Sequence, residues 1–229
     1  MTRRYRFYDN TTDNANISTV LDSSSRRVLR NTYFLLSICL AFSAITAAAT
    51  IALQLPYPGF LITIVGYFGL LFLVTKNRNS GFGILFVLAL TGFMGYTLGP
   101  IVGYYLRLPN GAQTVMMALG GTALIFLVMS GIALFSKRDF SFLSGFLTTG
   151  ILVAFFAGLI ALFFDIPALS LAVSSVFVLL MSGLILHETN NIVRNGETNY
   201  IMATVTLFVA IFNLFTSLLH LLGFASRSD

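Results

Sequence analysis

One short segment, HETNN at residues 187–191, begins like the zinc-protease signature H-E-x-x-H. In that signature two histidines one helical turn apart bind zinc, and the glutamate activates a water molecule. Here Asn191 replaces the second histidine, and the other histidine of the chain, His220, lies in a different apolar block. The chain has a single cysteine, Cys39. We therefore expect no metal site, no cofactor and no zinc hydrolase.

Two serines in apolar blocks, Ser130 and Ser182, precede glycine as the nucleophile of an intramembrane serine protease of the G-x-S-G type does. That motif also needs a glycine two residues before the serine, where this chain has Val128 and Leu180. We therefore predict that the protein is not an enzyme.

Glu188 is the one acidic residue whose position in the sequence is consistent with membrane depth. If the last two apolar blocks form a helical hairpin, Glu188 lies roughly 10 Å along its helix, level with Ala210 and one turn from Asn213. A carboxylate at that depth is costly unless it is protonated, hydrated or hydrogen-bonded. Two interpretations stay open: an interfacial glutamate in contact with water, or a buried proton-sensing group with polar partners such as Thr189, Asn190 and Asn213.

Composition indicates the environment of these residues. The chain is 57% hydrophobic and 9% charged, whereas a soluble domain carries about 25% charged residues. A membrane-spanning helix needs about 20 apolar residues, and lipid offers no partner for an unpaired backbone group. We predict an all-α bundle of seven transmembrane helices, with the seventh helix central. The seven apolar blocks cover residues 32–54, 57–75, 81–105, 114–135, 142–164, 167–187 and 200–222.

Basic residues are distributed unequally between the two sides that seven helices define. Eleven fall on the side of the N-terminus and two, Arg107 and Arg227, on the other. Because basic residues stay in the cytoplasm, we predict a cytoplasmic N-terminus and a periplasmic C-terminus. The net charge of +5 then reflects topology and does not indicate a nucleic-acid partner.

The chain divides into two parts in this interpretation. Residues 1–30 are rich in Ser, Thr, Asn and Arg and contain too little apolar surface to drive folding, so we predict a flexible cytoplasmic tail. Residues 31–229 form the transmembrane domain. The tail is either a plain extension or a handle for a cytoplasmic partner.

Two patterns concern helix packing. Gly92, Gly95 and Gly99 share the third block, and small residues let membrane helices approach closely. The last block carries a stripe of small and polar residues at helical spacing. This stripe indicates either a helix packed in the centre of the bundle or the polar lining of a pathway. Its members are Ala203, Thr206, Ala210, Asn213, Ser217 and His220.

Three segments resemble the Bax inhibitor-1 family of seven-helix membrane proteins. GFMGYTLGPI (92–101) is similar to the family's glycine-rich third helix, and FSKRDFSFL (135–143) is similar to its basic loop. The segment from LHETNN through LLHLLG, residues 186–223, is similar to its last two helices. The resemblance extends from Arg27 to the end of the chain and implies a bacterial inner-membrane protein.

The resemblance also implies function. A bacterial branch of the family binds the membrane-anchored AAA protease FtsH as a slow competing substrate that spares other membrane clients, so we expect an FtsH modulator. Other members are pH-sensitive calcium leaks in which two carboxylates share a proton. Glu188 matches the first of these carboxylates, whereas Ala210 occupies the position of the second. A proton-gated leak lined by Thr206, Asn213 and His220 is therefore the weaker alternative, and an assembly factor without a transport path is a third.

Overall fold

The structure is a computed structural model. It describes residues 10–226 except 137, 195 and 197, and it describes side chains from residue 25 onward. Within that part of the chain all regular secondary structure is helical, which confirms the predicted all-α bundle. The seven helices are α1 Asn10–Ala52, α2 Phe60–Lys76, α3 Phe82–Leu106, α4 Gly111–Phe135, α5 Leu143–Phe163, α6 Pro167–Arg194 and α7 Tyr200–Ala225.

Six of these helices are long and apolar enough to cross a membrane. The α1 helix begins at Asn10, whereas the apolar block of its sequence begins at residue 32, so the helix starts well before that block. The remaining helix, α2, has 17 residues, about 26 Å at 1.5 Å per residue, which is at the lower limit for a spanning helix. The predicted flexibility of residues 1–30 stays a prediction, although the backbone of residues 10–30 is helical.

The seventh helix is central, as the sequence predicts. It packs against α1, α3, α4 and α6. Ala203, Leu207, Ala210 and Leu214 are fully buried on it, and their spacing of three or four residues places them on one face. The alanines keep this face narrow, so neighbouring helices approach the axis of α7 closely.

The glycines of α3 allow a close approach to α1. A methyl group added at Gly95 would meet the backbone oxygen of Ser43, and one added at Gly99 would meet Thr50. The helix also continues through Pro100 to Leu106, although that proline suggests an end or a bend. The close packing indicated by the glycine spacing is therefore present, and the structure shows that its partner is α1.

Hydrogen bonds join the loops at one end of the bundle. Asn199 contacts the α2–α3 loop, and α6 contacts the α4–α5 loop through Asn190. We call this end the basic end because seven exposed basic residues lie there, and we call the other end, which carries the exposed Arg107, the opposite end. The seven are Arg26, Arg27, Arg30, Lys76, Arg78, Arg138 and Arg194.

Candidate functional site

Glu188 lies in the last two turns of α6, six residues before the helix ends at Arg194. At 1.5 Å per residue this is about 9 Å from the basic end of the helix. The side chain is 9% exposed and has an interaction within the bundle. Its placement therefore agrees with the buried interpretation of this carboxylate, and its proposed response to protons stays a prediction.

Neighbouring helices contact the residues around Glu188. The hydroxyl groups of Thr189 on α6 and Tyr33 on α1 are 3.4 Å apart. The Thr204 hydroxyl on α7 donates to the backbone oxygens of Tyr200, 2.7 Å away, and of Thr32, 3.3 Å away. Because Thr32 and Tyr33 are adjacent in α1, α6 and α7 meet α1 at one depth. Glu188, next to Thr189 in α6, is thus at the depth of a polar layer between three helices.

The helix ends give a second count for the residue of α7 that is level with Glu188. Glu188 is six residues before the end of α6 at Arg194, and Thr206 is six residues after the start of α7 at Tyr200. By this count Ala210, which is fully buried, is one helical turn further into the bundle. The predicted level of Glu188 with Ala210 stays a prediction.

The polar end of α6 holds the α4–α5 loop. The Asn190 carboxamide accepts a hydrogen bond from Phe140 N at 3.1 Å and donates one to Arg138 O at 3.2 Å. His187 Nδ1 lies 3.2 Å from Phe140 O, and since a carbonyl oxygen only accepts, Nδ1 carries the proton. The Arg194 guanidinium donates to Ser136 O. We call His187, Asn190 and Arg194 the loop clamp.

The clamp corrects one expectation and supplies a role that the sequence analysis missed. Asn190 was expected as a partner of Glu188, but both ends of its carboxamide bond to the backbone of the loop. The sequence feature that could have indicated this role is the spacing of the clamp residues at 187, 190 and 194, which places them on one helix face. The sequence does not indicate which loop that face meets.

A second amide, Asn199, performs a similar task in the α6–α7 turn. Its Oδ1 accepts from Met202 N at 3.0 Å and caps α7, which satisfies one of the free backbone donors at the helix start. Its Nδ2 donates to Arg78 O at 3.1 Å and to Asn79 Oδ1 at 2.9 Å. The α2–α3 loop is thereby held against the start of α7.

The polar stripe of α7 is divided between two cavities. Thr206 and Asn213 line a cleft of about 640 Å³ between α2, α3, α5, α6 and α7, which we call the lateral cleft. His220 lines a separate recess of about 480 Å³ near Asp165 at the opposite end, and its Nδ1 lies 2.8 Å from Ser174 Oγ. The two cavities have no lining residue in common.

The remaining members of the stripe, Ala203, Ala210 and Ser217, are buried. Part of the stripe therefore packs in the centre of the bundle and part of it lines two separate cavities, and its role as the lining of a pathway stays a prediction. His187 and His220 are at opposite ends of the α6–α7 pair, so the two histidines do not share a metal site.

Comparison with known proteins adds the family. Residues 25–227 match the family model described as "Inhibitor of apoptosis-promoting Bax1". The chain belongs to the Bax inhibitor-1 family. The family match covers the apolar block of α1 and the six helices that follow it.

Three bacterial proteins are similar to this chain over most of its length. "Modulator of FtsH protease YccA" of Escherichia coli strain K12 is 53% identical over 89% of this chain and 93% of its own length. A second E. coli protein, "Inner membrane protein YccA", matches to the same extent. An "Uncharacterized membrane protein" of Vibrio cholerae is 43% identical over 90% of this chain and 92% of its own length. The predicted localisation, a multi-pass protein of the inner membrane, is confirmed.

Proposed function

We propose that this protein binds an FtsH-type membrane protease and acts as a slow competing substrate. While the protease is occupied by this chain, it degrades its other membrane substrates more slowly. The observation that carries the proposal is 53% identity, over nearly the full length of both chains, to a protein named a modulator of that protease. On this proposal the chain acts by occupancy and catalyses no reaction. The membrane location of both proteins supports an encounter within the bilayer.

The architecture of α1 supports a role for the N-terminal segment. The α1 helix begins at Asn10, 22 residues before the apolar block that starts at residue 32, and so extends that block by about 33 Å at the basic end. The concentration of exposed basic residues at that end supports a cytoplasmic location. We infer that this extension and the residues before it are the handle through which the protease engages the chain.

The decisive experiment measures the half-life of a membrane client of the protease in cells that express the full chain or a form lacking residues 2–25. We expect the truncated form to persist longer than the full chain and still to lengthen the half-life of the client. A control replaces residues 2–25 by a Gly/Ser segment of equal length, which separates the sequence of the handle from its length. If neither form changes client turnover, the modulator proposal is wrong.

A proton-gated calcium leak centred on Glu188 is the second candidate. The observation that favours it is the burial of this carboxylate at the depth of a polar layer between three helices. The absence of an acid at Ala210 weakens it, and so does the division of Thr206, Asn213 and His220 between separate cavities.

This candidate is tested by calcium flux into liposomes at several pH values. A leak gated by Glu188 requires the pH dependence of the flux to disappear in Glu188→Gln, which cannot ionise. Glu188→Asp is the matched control and should keep a pH response. Flux at the level of empty liposomes for the unmodified protein would remove the leak as a function.

A further inference from the structure

The lateral cleft opens sideways, towards the membrane. Its two outer walls are α2, which packs along α3, and α5, which packs along α6. Phe60 and Phe163 join these walls near the opposite end, with ring centroids 5.8 Å apart. The wall residues Phe68 and Leu152, in the middle of α2 and of α5, are 50% and 53% exposed.

The interior of the cleft suits an apolar chain. Its walls are mainly aromatic and aliphatic, including Tyr67, Phe93 and Phe155, and its floor is α7. The volume of about 640 Å³ is in the range of small-molecule pockets. On the floor, Asn213 donates one N–H of its carboxamide from Nδ2 to Val209 O at 2.8 Å. This N–H is therefore satisfied within its own helix.

Two exposed arginines lie on the loops that end these walls. Arg78 belongs to the α2–α3 loop and Arg138 to the α4–α5 loop. Asn199 holds the backbone oxygen of Arg78, and Asn190 holds that of Arg138. The cleft reaches this level, because its lining includes Met202, in the first turn of α7.

The two amides fix the backbone at these two positions, and both arginine side chains are exposed. Arginine binds phosphate through paired N–H groups in a planar fork. A phosphate group at the mouth of the cleft would therefore have a guanidinium group on the loop at the end of each wall.

We propose that the lateral cleft binds one acyl chain of an anionic phospholipid and that Arg78 and Arg138 bind its headgroup phosphate. The occupant follows from two features together: an apolar cleft open to the bilayer and a cationic mouth at the depth of the headgroups. A transmembrane helix of a partner protein could occupy the cleft, but it would have no phosphate group for Arg78 and Arg138 to bind. The site does not depend on the protease modulation proposed above.

The headgroup part is tested by native mass spectrometry of the purified protein with equal amounts of phosphatidylglycerol and phosphatidylcholine that carry the same acyl chains. We expect the unmodified protein to retain phosphatidylglycerol several-fold more than phosphatidylcholine. The double variant Arg78→Gln with Arg138→Gln should lose this preference. Arg107→Gln, which removes an exposed arginine from the opposite end, should keep it. Equal retention of both lipids by the unmodified protein, or an unchanged preference in the double variant, overturns the proposal.

The acyl-chain part is tested with Leu152→Trp, which fills the cleft from an exposed position of α5. We expect fewer bound lipids per protein molecule. Leu127→Trp adds the same side chain at an exposed position of α4 that does not line the cleft, and should leave lipid retention unchanged. If Leu152→Trp keeps its lipids but loses a co-purifying membrane protein, the cleft is a protein-docking site and the lipid assignment is wrong.

Discussion

His187, Asn190 and Arg194 occupy one face of α6 and bond to three backbone oxygens and one backbone N–H of a single loop. Glu188, on the adjoining face, is buried. The segment that begins like a zinc site is therefore divided between two faces. Its histidine and its first asparagine position a loop, and its carboxylate is buried at the depth of a polar layer within the bundle.

The contribution of Asn190 to stability follows from its two hydrogen bonds. In Asn190→Ala the fully buried site loses its carboxamide, and Phe140 N and Arg138 O lose their partner. We expect a decrease of about 1–3 kcal/mol in the free energy of unfolding, the usual cost of unpaired buried groups. Thermal unfolding in one detergent, with Asn191→Ala as the neighbouring amide control, measures this difference. Equal destabilisation by the two variants would contradict the clamp role of Asn190.

At the scale of helices, α3 and α1 form the closest pair in the bundle for a steric reason. Gly92, Gly95 and Gly99 recur at spacings of three and four residues and so face α1 together. Without a hydrophobic driving force between helices in lipid, close van der Waals packing stabilises such a pair. The loss of a single glycine should therefore separate the helices along their contact.

Gly95→Ala tests this contact. The added methyl group would meet the backbone of Ser43, which cannot move aside as a side chain can, and we expect a loss of about 1–3 kcal/mol from overpacking. Gly120→Ala, on the exposed side of α4, places its methyl group in open space and should be neutral or slightly stabilising. Urea-induced unfolding in a denaturant-tolerant detergent compares the two, and equal stability would contradict the packing argument.

At the scale of the whole molecule, the exposed basic residues are concentrated at one end of the bundle. The loops that follow α2, α4 and α6 meet at the basic end through side-chain hydrogen bonds. The exposed basic residues of these loops and of α1 therefore lie on one side of the membrane. The loop clamp and the start of the apolar block of α1 are near this side, and the lateral cleft extends from Met202 near this side to Thr63 in the first turn of α2.

The orientation of the molecule leads to a third prediction. Alkaline phosphatase fused after the last residue should be active, because a periplasmic C-terminus allows its disulfides to form. The same enzyme inserted in the α4–α5 loop should be inactive, and a fluorescent protein at each position should give the reverse pattern. Activity at the loop and none at the C-terminus would show that the bundle has the inverse topology.

From the sequence alone we could predict seven helices, the bounds of α2 to α7 within a few residues apart from the end of α6, and the central position of α7. The number and length of the helices follow from lipid, since each spanning segment must satisfy its backbone groups internally and must have a minimum length. Small residues then identify faces that approach a neighbour closely, but not which neighbour. For Glu188 the sequence left both an interfacial and a buried position open.

Only the tertiary structure decided what the polar side chains contact. Asn190 bonds to a residue 50 positions away in the sequence, and Asn199 to a residue 121 positions away. Helical periodicity gives the face on which a side chain lies but not the helix or loop that packs against that face. The stripe on α7 did not indicate two cavities for the same reason. Thr206 and His220 share one face of α7, but each meets different neighbouring helices because the two residues lie at different depths along α7.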